Sequence, residues 1–227
     1  MTLQIETLVL GPLETNSYVL WSETPCDEES DTGGRVSPGG GANCWIVDVG
    51  MWSKPLVELL HERNLDPQRI LLTHCHGDHI GGVEYVKGAF GGVRICCPAT
   101  EKEMLKDPEL NLSATFLMGI EAPDPDELLA PGEVLHMGPL AWEVLDTSGH
   151  TPGGLSFYCP EEGVVFCGDA LFADSVGRTD IPRGDHERLI ENIRRNLLSL
   201  PDETRVYPGH GPETTIGRER KSNPYLS

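Results

Sequence analysis

The sequence predicts an α/β protein built as a four-layer α/β/β/α sandwich. Short apolar runs of strand character appear in clusters in both halves of the chain, with stretches of helical spacing between and after them. Such a pattern buries two sheets face to face and covers their outer faces with helices. Four of the strand-like runs also end in turns that carry His or Asp, usually just after Gly, as if to present side chains along one rim.

The elements read as follows. Residues 2–10 and 15–21 alternate around Gly11-Pro12 and Asn16 and predict a hairpin. Residues 22–43 are rich in acids, Gly, Ser and Pro, with Val36 the only sizeable apolar residue, which predicts a mobile insertion in a single domain spanning 1–227. A buried strand over 44–50 ends in the carboxylate Asp48. Residues 52–63 place Leu56, Val57, Leu59 and Leu60 on one helical face. A short strand over 70–72 runs into Thr73-His74-Cys75-His76-Gly77-Asp78-His79, and a helix follows from Gly81 to Phe90. Beyond a strand at 93–97, Thr100 and Glu103 suggest a capping box opening a short helix. Residues 107–133 read as largely irregular, and His136 as part of an apolar turn. Strands are expected at 140–146, 155–159, 164–167 and 205–207, with an amphipathic helix over 185–200 carrying Leu189, Ile190, Ile193 and Leu197.

Composition narrows the function. A net charge of −19 argues against nucleic acid and anionic membranes as partners, because both require a basic footprint. No apolar run approaches the roughly 20 residues needed to span a bilayer. The N-terminus lacks the basic start and long apolar stretch of a secretory signal, so a cytoplasmic location is expected, or an organelle if a presequence is missing. The seven Cys are odd in number and mostly lie in apolar runs, which predicts no disulfide framework. The sequence carries no signal for an oligomeric state.

The chemistry lies at the strand exits. Three His and one Asp within six residues, at 74, 76, 78 and 79, supply imidazole and carboxylate donors at the density of a metal site. Three further exits end at His150, Asp169 and His210, each directly after Gly. Gly permits the sharp turn and close approach such an exit needs. His61, His136 and His186 lie outside this pattern, and Cys75 stands between two donors.

Thr73-His-Cys-His-Gly-Asp-His79, Gly149-His-Thr-Pro-Gly153, Gly168-Asp-Ala-Leu-Phe172 and Pro208-Gly-His-Gly-Pro-Glu-Thr214 resemble the metallo-β-lactamase fold superfamily. The similarity is to its short, single-domain glyoxalase II-like (hydroxyacylglutathione hydrolase-like) branch, since only 17 residues follow His210. The resemblance implies two divalent metal ions, zinc in the first instance, with iron or manganese also accepted by this ligand chemistry. It assigns His74, His76 and His150 to one ion, Asp78, His79 and His210 to the other, and Asp169 to both. It implies a metal-bridging hydroxide as nucleophile, oriented by Asp78, with Asp48 supporting the ligands from behind. The implied substrate is a small-molecule thioester such as S-lactoylglutathione, and Arg178, nine residues after Asp169, is the implied substrate contact. Related enzymes offer two other outcomes: a persulfide dioxygenase using a single iron at His74, His150 and Asp169, or a lactam or lactone hydrolase.

Overall fold

Six strands form the first sheet in chain order: β1 (Leu3–Leu10), β2 (Thr15–Ser22), β3 (Ala42–Val47), β4 (Leu65–Leu71), β5 (Arg94–Pro98) and β6 (Glu127–Leu129). The computed structural model describes residues 2–22, 41–116 and 118–226. β1, β2 and β3 pair antiparallel, whereas β3, β4, β5 and β6 run parallel. A parallel sheet must be covered on both faces, and its strands show this. In β3, Cys44 and Ile46 face one core while Trp45 and Val47 face another. Helices α1 (Lys54–Glu62) and α3 (Val83–Ala89) close the outer face through Leu56, Leu60, Val83 and Val86.

The second sheet contains β7 (Val134–Met137), β8 (Leu140–Asp146), β9 (Leu155–Cys159), β10 (Val164–Gly168), β13 (Arg205–Pro208) and β14 (Thr214–Thr215), in the order β14-β13-β10-β9-β8-β7. The minor hairpin of β11 (Leu171–Phe172) and β12 (Ser175–Val176) stands apart. β10 is buried throughout, with Val164 and Phe166 turned to the other sheet, Val165 and Cys167 to the helices. Leu189 from α4 (His186–Asn192) and Ile216 from α5 (Ile216–Ser222) complete that outer layer. Between the sheets, Tyr18 meets Phe166 at 5.0 Å and Trp45 meets Trp142 at 6.2 Å, centroid to centroid. The expected α/β/β/α order is therefore present.

Several local expectations need correction. β4 begins at Leu65 rather than 70, because its pairing with β3 extends back to Ala42. Residues 107–133 include β6 and a short 3₁₀ turn at Ser113–Phe116, and His136 lies within β7. The turn at Ala99–Leu105 is 3₁₀ with Pro98 at its N-cap and no side-chain cap, so Thr100 and Glu103 form no capping box. The helix expected over 81–90 is α3, Val83–Ala89, and a separate short helix, α2 (Gly77–Ile80), precedes it. The helix expected over 185–200 is α4 continued by a π turn at Ile193–Leu197. Asp185 caps α4 by accepting the Arg188 N–H. Most of the acidic insertion lies outside the described residues, while Ser22 and Ala42 belong to β2 and β3. Among the described residues, no helix is long and apolar enough to cross a membrane.

Candidate metal centre

The loops leaving β3, β4, β8, β10 and β13 meet at one place. The β4 exit supplies His74, His76, Asp78 and His79, the β8 exit His150, the β10 exit Asp169 and the β13 exit His210. Close approach at this junction requires glycine. Gly168 turns with φ +49°, and a Cβ there would meet Thr73 Cβ at 2.7 Å. A Cβ on Gly209 would collide with Asp169 Oδ1 and lie 2.6 Å from His79 Cε1.

Two triads of donors result. One ligand-type atom from each of His74, His76 and His150 lies within 4.8 Å of the others, and the same holds for Asp78, His79 and His210. Asp169 stands between them: Oδ1 is 3.3 Å from His79 Nε2, while Oδ2 is 3.6 Å from His150 Nε2 and 3.5 Å from His210 Nε2. All seven predicted residues thus converge.

The hydrogen bonds behind the rings fix which nitrogen faces inward. His150 Nδ1 donates to the Arg178 carbonyl at 2.7 Å, leaving Nε2 free to face His76 Nδ1 at 3.0 Å. His79 Nδ1 donates to Asp48 Oδ2 at 2.8 Å, and its Nε2 turns inward, 3.3 Å from His210 Nε2. His210 Nδ1 donates to the Glu14 carbonyl at 3.3 Å. Each of these three rings therefore has a committed rear nitrogen, as metal-binding imidazoles do. Asp48 also clusters with His74 and His79. Its oxygens, however, are taken by Thr73 N at 2.8 Å, Thr73 Oγ1 at 2.7 Å and His79 Nδ1, so it supports the site from behind. Asp48 holds φ 53°, a left-handed conformation that Asp tolerates better than most residues.

Electrostatics favours a cation here. Burial and the neighbouring imidazoles keep the His74 ring well below its usual pKa, and the same causes hold His76 at about 3. Both rings are neutral donors at physiological pH. Burial would raise the Asp169 and Asp78 carboxyls, but adjacent imidazoles outweigh it and hold both low, Asp78 at about 2. Of the five buried side-chain polar atoms without a hydrogen-bond partner among the described residues, two, His74 Nε2 and Asp169 Oδ1, belong to this centre. Buried polar atoms without partners are costly. The neutral His74 and His76 rings, the ionised carboxylates and the two orphaned acceptors fit divalent metal ions, whose charge would take the place of the protons that the carboxylates draw onto His79 and His210.

Beside the donors lies a cleft of about 160 Å³, into which His76, Asp78, His150 and Asp169 open. Its walls are largely apolar, with Leu13, Met51, Leu112, Met118, Ile120 and Ile181. Arg178 also lines it, and its guanidinium binds Asp180 through two bonds of 2.8 and 3.0 Å.

Some contributors had no sequence signal. Thr15 Oγ1 donates to Asp78 Oδ2 at 3.0 Å. Asn16 Nδ2 donates to the carbonyls of Pro208 and Gly211, and Tyr18 Oη donates to that of Pro208 at 2.6 Å, tying β2 to the His210 loop. Cys75 is buried with its Sγ 3.4 Å from Cys97 Sγ, and its N–H is held by Glu101. His136 and His186 are exposed, and His61 stacks on Phe90 away from the centre.

A sandwich of two sheets with a His/Asp centre at the strand ends defines a metallohydrolase architecture. The model of the metallo-beta-lactamase superfamily matches residues 38–210, and the chain belongs to that superfamily. It is 40% identical to the hydroxyacylglutathione hydrolase GloC of Haemophilus influenzae, over 99% of both chains. Among solved structures it is similar to BLEG-1 B3 metallo-beta-lactamase, with 37% identity, TM-score 0.85 and coverage of 99% of this chain and 100% of that one. It is also similar to TTHA1623 in a di-iron-bound form, with 35% identity, TM-score 0.77 and coverage of 97% and 100%.

Proposed function

We propose that this protein is a binuclear metallohydrolase that cleaves a small-molecule thioester such as S-lactoylglutathione. The observation that carries this reading is the position of Asp169, one carboxylate in reach of His150 on one side and of His79 and His210 on the other. Two complete donor triads joined by one carboxylate suit two ions better than one. The likeness to GloC, over nearly the full length of both chains, supports the thioester.

His74, His76 and His150 would hold one ion, Asp78, His79 and His210 the other, with Asp169 shared. Zinc suits the donors, as do iron and manganese by their ligand chemistry, and the similar TTHA1623 has a di-iron-bound form. When bound, such ions supply an acidified water and polarise a carbonyl. The remaining work falls to the chain. Asp78, ionised and steadied by Thr15 Oγ1, accepts a hydrogen bond from the attacking water and orients it toward the thioester carbon. Water adds to that carbon, the C–S bond breaks, and the products are a carboxylate and a thiol. The apolar cleft walls exclude bulk water and hold the acyl end. Arg178, at the same cleft, can exchange Asp180 for a substrate carboxylate.

His76→Ala should abolish hydrolysis of S-lactoylglutathione while leaving the fold intact; wild-type turnover would refute the two-ion reading. The likeness to BLEG-1 favours lactam hydrolysis as the second reading. Turnover of a β-lactam with inert thioesters would select it.

A further inference from the structure

Glu101 is fully buried, yet it has no part in the chemistry above. It lies in the 3₁₀ turn after β5, an element that contributes no donor to the metal centre. Its Oε2 accepts the Cys75 N–H at 2.7 Å, and its Oε1 accepts the Gly153 N–H at 2.7 Å. The Thr151 hydroxyl donates to it as well. Cys75 lies between His74 and His76, and Thr151 directly follows His150. The three donors thus come from the two loops that carry the whole first triad. Packing reinforces the clamp, because a Cβ on Gly153 would meet Glu101 Cγ at 3.0 Å.

A buried carboxylate is costly to keep, and among the described residues Glu101 has no ion pair, the Arg183 charge acting on it only from a distance. Here burial raises its pKa against the pull of those hydrogen bonds. What distinguishes Glu101 is its partners, which all lie in the loops bearing the first triad. The other buried carboxylate behind the centre, Asp48, bonds His79 of the second triad directly and reaches His74 only through Thr73. None of the hydrogen bonds of Glu101 reaches Asp78, His79 or His210.

We propose that Glu101 is a positioning residue dedicated to His74, His76 and His150: it clamps their two loops at the separation one metal ion requires, and so sets the affinity of that triad alone. The proposal rests on the two triads being metal sites. Glu101→Gln is the sharpest perturbation. Its single amide oxygen can accept one of the two backbone N–H groups, and its NH₂ then opposes the other, whichever way it is turned.

The test is titration of the full chain, stripped by a chelator, with Zn²⁺ alone, read by calorimetry and chelator competition. Each triad is isolated by breaking the other. In a His210→Ala background, Glu101→Gln should weaken the remaining ion by about 10- to 100-fold, the usual effect of losing a group that orients a ligand. In a His76→Ala background it should change the remaining affinity less than twofold. Glu101→Asp, which keeps the charge but reaches less far, should recover part of the loss, and it carries the same comparison if the Gln variant does not fold. Equal weakening in both backgrounds, or none with His210→Ala, would overturn the proposal. Failure of the wild-type chain to bind two Zn²⁺ would instead overturn the binuclear reading.

Discussion

Replacing Asp48 with Asn probes how the second triad is held. The change keeps the shape, and Asn tolerates the left-handed backbone at φ 53°, so strain does not confuse the result. The carboxylate accepts from Thr73 N through Oδ1, and from Thr73 Oγ1 and His79 Nδ1 through Oδ2. Asn has one oxygen for these two positions. With its NH₂ toward His79, the imidazole must take the other tautomer, with a proton on the nitrogen that faces Asp78, Asp169 and His210. With its NH₂ toward Thr73, a buried backbone N–H loses its partner. Either way about one hydrogen bond to a charged group is lost, worth about 1.5–3 kcal/mol. Spent on the metal site, that is about a 10- to 150-fold loss of affinity at the second triad. Spent on the backbone, it appears as lower stability. Zn²⁺ titration and urea unfolding of the same sample should together recover that sum. If both values match wild type, Asp48 does not orient His79 and the tautomer argument fails.

Three other outcomes follow from the geometry. Gly209→Ala should displace Asp169 and His79, lowering metal content measured by mass spectrometry while cooperative unfolding persists; full metal content would contradict the packing argument. In the metal-free protein, burial would depress the His79 pKa, but Asp78, Asp169 and Asp48 outweigh it and raise it well above 6.5. That proton contributes stability fully below about pH 6.5. The contribution is lost as pH rises through the raised value, so the apo midpoint should fall on the alkaline side, while bound metal should flatten the curve; parallel apo and metal-loaded curves would refute this. Arg178→Ala should raise KM for glutathione thioesters, with kcat and thermal midpoint little changed, because the side chain is 66% exposed and, among the described residues, its ion pair is with Asp180. An equal effect on an uncharged thioester would assign Arg178 a structural role.

Most of the centre was legible because its side chains sit where strands stop. The run from His74 to His79 and the Gly-His or Gly-Asp exits at 150, 169 and 210 are local signals, and the sandwich follows from strand runs in both halves. What stayed hidden depends on contacts between distant segments. Thr15 meets Asp78 across 63 residues, and Asn16 meets Pro208 across 192. Glu101 stands in a stretch whose local pattern resembles a helix cap, and only the fold shows that its carboxylate faces inward to Cys75 and Gly153. Cys75 seemed a filler between donors, whereas its backbone N–H is the group that Glu101 holds. For Arg178 the sequence pointed to the side chain, while the carbonyl also matters by fixing the His150 tautomer.

The most direct test of the binuclear thioesterase reading is hydrolysis of S-lactoylglutathione by the metal-free chain as Zn²⁺ is returned stepwise. The arrangement of two triads around Asp169 predicts that activity reaches its plateau only when two ions are bound per chain. Full activity at one ion per chain, or no thioester cleavage with both bound, would contradict it.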